Sequence, residues 1–115
     1  MKQLSNYFNL ESNIKIYVPS TSDVDRVIDN TKFVDNTLSL LSNCLGGSTS
    51  YKATGTWMSE DKGLVKEQVT ICESYCETDK LETQIDDILV FCESLKKTLK
   101  QEAISLEVNN KLYFI

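Results

Sequence analysis

A change of hydrophobic period, made twice along the chain, narrows the fold more than any other feature. In GSTSYKATGTWMSEDKGLVKEQVTI, residues 47–71, alternate positions carry Thr49, Tyr51, Ala53, Gly55 and Trp57. Val65, Glu67, Val69, Ile71, Glu73 and Tyr75 alternate in the same way. A period of two is that of a strand. Ser59-Glu60-Asp61-Lys62-Gly63 supplies the connection between the two runs. A turn centred on Asp61 puts Trp57 opposite Val65 and Gly55 opposite Glu67. A carboxylate then stands in a largely apolar row, across from a residue with no side chain.

On both sides of this hairpin the period lengthens to that of a helix. Phe33, Val34, Thr37, Leu38, Leu41, Cys44 and Leu45 form one stripe. Asn30 or Thr31 can cap its start, and Gly46 follows its last residue, where a left-handed cap is wanted. Thr78 and Asp79 open a second helix, with Leu81, Ile85, Ile88, Cys92, Leu95 and Leu99 in its stripe, ending near Gln101. Its seam is too short to demand a coiled coil, so it is expected to pack on the sheet. Ile14, Ile16 and Val18 alternate as a strand that Pro19 ends. PSTSDVDRVIDN reads as a long loop with a helical turn around Val24–Ile28. Residues 103–108 and 111–115 form a hairpin about Asn109-Asn110, because asparagine tolerates positive φ.

The resulting order is β-α-β-β-α-β-β. It predicts an α+β fold, an antiparallel-rich sheet with two helices on one face, of ferredoxin-like character. Residues 1–13 read as an N-terminal arm with Leu4, Tyr7, Phe8 and Leu10 as apolar anchors, and 14–115 as a single domain. Tyr17, Met58, Leu64, Cys72, Leu112 and Phe114 are left over on the opposite strand parities. That is more apolar surface than a solvated sheet face carries, and it predicts a homo-oligomer with Tyr17, Leu112 and Phe114 at its interface.

Several chemistries drop out. The chain has no histidine, so no Ser-His-Asp or Cys-His arrangement is possible. Gly46-Gly47 lacks the lysine and spacing of a phosphate loop. Net charge is −5 and Arg26 is the single arginine, which argues against direct nucleic-acid contact. Lys96, Lys97 and Lys100 are read as solvating the end of the second helix. Cys44, Cys72, Cys76 and Cys92 read as free core thiols, with a four-cysteine zinc site as the lesser alternative. No metal and no cofactor is expected. No apolar run is long enough to span a membrane, and MKQLSNYFNLESN lacks the pattern of a signal peptide, so the expected location is cytoplasmic.

Ile16-Tyr17-Val18-Pro19-Ser20-Thr21, Leu45-Gly46-Gly47-Ser48-Thr49, Gly55-Thr56-Trp57 and Gly63-Leu64-Val65-Lys66-Glu67 carry a resemblance. Over roughly residues 14–75 and the final hairpin, the chain resembles a group of small uncharacterised proteins from bacteria and their phages and plasmids. The resemblance implies a mobile-element source rather than a chemistry. Small acidic proteins of such elements are often inhibitors of host defence, an analogy at the level of class.

Two functional expectations follow. The first is a non-enzymatic binding protein that inhibits a host defence protein by occupying its surface, the partner presenting a basic patch to acidic residues such as Asp23, Asp25, Asp29 and Asp35. The alternative is a small enzyme or small-molecule-binding protein that uses a sheet–helix crevice around Glu67, lined by Tyr51, Trp57 or Tyr75. Glu67 itself has three readings. A nearby bulge can turn it to solvent. It can be a structural carboxylate bonded to Trp57 Nε1, to threonines or to the Gly46-Gly47 amides. It can also be an acid or base in a pocket.

Overall fold

A computed structural model describes residues 1–23 and 25–115. The elements are β1 (Ser12–Pro19), β2 (Thr21–Ser22), β3 (Arg26–Val27), α1 (Thr31–Leu45), β4 (Thr49–Ser59), β5 (Gly63–Cys76), α2 (Thr78–Thr98), β6 (Ser105–Val108) and β7 (Lys111–Phe114). Five strands form one antiparallel sheet in the order β4-β5-β1-β6-β7, and β2 and β3 form a separate ribbon. β1 lies between β5 and β6, antiparallel to both. Each helix therefore carries the chain over a strand to the far side, and the two crossovers interlock. This is the expected ferredoxin-like α+β arrangement, with β7 added at one edge.

Local chemistry explains the boundaries. Gly46 ends α1 at φ 105°, in the left-handed region, and its N–H donates to Ser42 O. Asn109 and Asn110 turn the last hairpin with φ 49° and 69°. At the start of α1 Asn30 makes no capping bond. Its Nδ2 points inward and donates to Val18 O, Pro19 O and Thr70 Oγ1 at 3.3–3.4 Å. Asp29 takes over instead, accepting from the Thr31 N–H at 3.0 Å and the Thr31 hydroxyl at 2.6 Å. The helical turn expected around Val24–Ile28 is not formed: Arg26–Val27 pairs with Thr21–Ser22 as a ribbon, and Val24 lies outside the described residues.

The core lies between the sheet and both helices. Ile14, Ile16 and Val18 of β1 pack with Leu41, Leu45, Ile88, Cys92, Leu95 and Leu106. Each such aliphatic side chain contributes about 1.5–3 kcal/mol by leaving water. Buried hydroxyls are paired: Ser74 donates to Gly47 O at 2.6 Å, Thr37 to Phe33 O at 2.7 Å, and Ser12 and Thr78 share a bond of 2.7 Å. Cys72, Cys76 and Cys92 are buried here, and burial pushes the Cys72 and Cys92 thiols up to about 11. Cys72 thus faces the helices, not the opposite side on which it was expected. Its strand parity is that of Ile16, its partner in β1.

β1 pairs with β5 only from Pro19↔Val69 to Ser12↔Cys76. Beyond Val69 the β4–β5 hairpin runs on alone to Ser59↔Gly63. This projection draws the molecule out to 53 × 28 × 21 Å. Residues 1–11 carry one 3-10 turn, Lys2–Leu4, and are exposed. Among the described residues no helix is long and apolar enough to cross a membrane.

Candidate functional site

The helices cover the face that holds Ile14, Ile16 and Val18, so strand alternation puts Asn13, Lys15 and Tyr17 on the open face. The register carries that face across the sheet. Tyr17 neighbours Ile71, which neighbours Tyr51. Lys15 stands between Glu73 and Glu107. Glu107 neighbours Leu112, Ser105 neighbours Phe114, and Asn13 neighbours Tyr75. Gly55 faces Glu67 and Trp57 faces Val65. Every candidate residue, Glu67, Trp57, Tyr51, Tyr75, Tyr17, Leu112 and Phe114, therefore belongs to one surface.

They do not form one pocket. Tyr51, Ile71 and Tyr17 make a row in the middle. Trp57, more than half exposed, and Glu67 lie on the projecting hairpin. Tyr75 is ten residues along β5 from Val65, about 33 Å away at the rise of a strand. Met58 and Leu64, paired with each other, occupy the other face of the hairpin, beyond the reach of the helices.

The polar centre of the surface was not foreseen. Lys15 Nζ lies 3.4 Å from Glu107 Oε2 and 3.7 Å from Glu73 Oε2. Tyr17 donates its hydroxyl to Glu107 Oε1 at 3.2 Å, and Asn13 Nδ2 donates to Glu73 Oε2 at 3.1 Å. Burial pulls the Lys15 ammonium down, but the Glu107 hydrogen bond and the negative charges around it outweigh burial and leave it raised. Burial and the Glu107 charge both push the Tyr17 phenol up. These residues come from three strands far apart in sequence. Their only sequence signal is the parity each shares with its own strand.

Glu67 answers to none of its three readings. The β4–β5 ladder runs without interruption from Ser59↔Gly63 to Thr49↔Glu73, so no bulge rotates it. It makes no hydrogen bond or ion pair among the described residues, so it is not a structural carboxylate. It is exposed rather than pocketed, because β1 stops short of it. The sheet–helix crevice does exist, as a cleft of about 390 Å³ lined by Ile28, Asn30, Thr31, Lys52, Gln68 and Thr70. Glu67 has the opposite parity and faces away from it. It borders instead a hollow of about 120 Å³ that also touches Tyr17, Gln101 and Ser105.

No family model matches this chain, and no curated protein matches it by sequence. Solved structures do. A phage SAM lyase in its apo state superposes with a TM-score of 0.69 at 16% identity, covering 96% of this chain and 93% of that one. A phage SAM lyase in complex with S-methyl-5'-thioadenosine gives 0.66 at 14% identity, covering 97% and 94%. A Bacillus cereus protein related to NIF3 gives 0.52 at 13% identity, covering 97% of this chain but 28% of that one. At these identities the likeness is one of fold. It overturns the expectation of a non-enzymatic inhibitor acting by surface occupation: two solved structures that share this fold over nearly their whole length are of a phage SAM lyase, and they favour the alternative of a small enzyme.

Proposed function

We propose that this chain is a small lyase that cleaves S-adenosylmethionine to S-methyl-5'-thioadenosine. The observation that carries the reading is the fold match to two phage SAM lyase structures over more than nine-tenths of both chains. The composition of the open face supports it. The substrate has a flat purine, a sulfonium cation and an ammonium group, and the hairpin sets Trp57 diagonally across the ladder from Glu67 on the open face. Aromatic faces attract cations as well as flat rings.

The reaction breaks the bond between the sulfonium sulfur and the amino-acid chain as the substrate's own carboxylate oxygen bonds to the same carbon and closes a lactone. The electron pair stays on sulfur, which leaves as a neutral thioether, so positive charge is lost from sulfur in the transition state. A carboxylate held against the sulfur would stabilise the substrate more than the transition state and slow the step. Glu67 is therefore assigned to the substrate ammonium and Trp57 to the purine. A non-polar aromatic surface at the sulfur favours loss of its charge.

The test is incubation of the purified full chain with S-adenosylmethionine, followed by chromatography for S-methyl-5'-thioadenosine. Accumulation in proportion to protein is expected. A rate no greater than that of the protein-free control overturns the proposal.

A further inference from the structure

β6 pairs with β1 only from Ile14↔Val108 to Ile16↔Leu106. β5 follows β1 further, to Pro19↔Val69. The last three residues of β1 thus have a strand on one side only. The hollow of about 120 Å³ beside Glu67 opens at that place. Pro19 and Val69, register partners with the parity of Tyr17, give it a non-polar lining. Ala103, just ahead of β6, and Ser105, the first residue of β6, line it from the other side. Gln101 closes one end, and its Nε2 is held by Thr21 O at 3.0 Å and Leu99 O at 3.1 Å.

Size and charge fit this hollow to one end of the proposed substrate. Its volume lies well below the roughly 300–1,000 Å³ of sites that take a whole drug-sized ligand. It equals the share of about four waters in the liquid, room for a short curled chain rather than for a nucleoside. Among the residues that line it only Glu67 is charged, and Ser105 and Thr21 bring neutral hydroxyls. The amino-acid chain of S-adenosylmethionine carries an ammonium and a carboxylate. Glu67 suits the first. Neutral hydroxyls suit the second, because a lysine or arginine there would tie up in the ground state the charge that the reaction uses.

We propose, resting on the lyase reading, that this hollow receives the amino-acid chain of the substrate, and that Ala103 and Ser105 determine specificity by holding that chain curled. In the curled chain a carboxylate oxygen stands against the carbon bonded to sulfur. The oxygen–carbon bond forms as the carbon–sulfur bond breaks, the electron pair of the broken bond stays on sulfur, and no proton moves. The products are a lactone that keeps the ammonium and a neutral thioether. Extended, the same chain keeps oxygen and carbon apart, so what the hollow supplies is orientation. The purine at Trp57 and the chain in the hollow lay the substrate lengthwise along β5, since Trp57 pairs with Val65 and the hollow lies at Glu67 and Val69.

Steady-state kinetics with S-adenosylmethionine and calorimetry with S-methyl-5'-thioadenosine, both on the full chain, test it. The second compound lacks the amino-acid chain and so reports on the rest of the site. Ala103→Leu fills the hollow and should raise KM for S-adenosylmethionine at least about tenfold. Ser105→Ala removes a hydrogen bond to the carboxylate and should raise KM about tenfold. Both variants should keep wild-type affinity for S-methyl-5'-thioadenosine. Ser105→Ala deletes only a hydroxyl, so it decides the matter should a thermal melt show that Ala103→Leu does not fold. A wild type without lyase activity overturns the lyase reading and the subsite together. An active wild type and folded variants with unchanged KM overturn the subsite alone. So does an equal loss of affinity for both compounds.

Discussion

Gly55 and Glu67 face each other across the β4–β5 ladder, on a stretch of hairpin that β1 does not reach. A methyl group added at Gly55 would lie 3.8 Å from Glu67 O, an ordinary contact. The glycine is therefore not there to relieve a clash of backbones. It leaves a shallow place over bare backbone next to a free carboxylate.

Replacing Glu67 separates function from stability. Glu67→Gln removes no contact within the chain, so its melting temperature should stay within about 3 °C of the wild type. Loss of a charge-assisted hydrogen bond to the substrate ammonium should raise KM about tenfold or more, with a smaller change in kcat. An unchanged KM would remove Glu67 from the substrate site.

Tyr17 and Lys15 set the alkaline limit. The Tyr17 phenol is held above its usual 10.0 by burial and by Glu107. The folded state thus keeps this proton more tightly than the unfolded chain does. The contribution to stability is whole below pH 10 and is lost as pH rises above it. Lys15, raised above 10.5, acts in the same sense. Tyrosinate absorbance should show a phase titrating above pH 10, and Tyr17→Phe should abolish that phase.

At the acid end the responsible pair is Asp29 and Thr31. The Thr31 hydroxyl and N–H hold the Asp29 carboxyl below its ordinary 3.8. Its contribution is present above pH 3.8 and is lost as pH falls through the lower folded value. In Thr31→Ala the Asp29 resonance, followed by NMR against pH, should titrate higher than in the wild type. An unmoved midpoint would mean that the hydroxyl does not hold it.

The four thiols should divide by depth. Cys44 is half-buried, whereas Cys72, Cys76 and Cys92 lie in the core. At pH 8 a thiol held near 11 is ionised in about one molecule in a thousand, which slows its attack on a disulfide reagent. One thiol should react readily in the folded protein and three only on unfolding. Cys44→Ser should remove the ready one. A second fast thiol would show that the core opens locally.

The sequence by itself determined the two helices, the five strands of the main sheet and two of their pairings. The turn centred on Asp61 set the register that puts Trp57 on Val65 and Gly55 on Glu67, and Asn109-Asn110 set the last hairpin. Gly46 placed the end of α1, and strand parity made Tyr51, Trp57 and Glu67 companions on one face. All of these follow from interactions among near neighbours, where backbone geometry leaves few choices.

Only the tertiary structure decided which strands stand side by side and where each one stops. β1 goes between β5 and β6 because that placement buries Ile14, Ile16 and Val18 beneath both helices at once. The same placement brings Lys15 against Glu73 and Glu107, residues 58 and 92 positions distant in the chain. It also ends the pairing of β1 at Val69, two residues short of Glu67. The bareness of that carboxylate comes from the relative lengths of two strands, and no local pattern in the sequence records it.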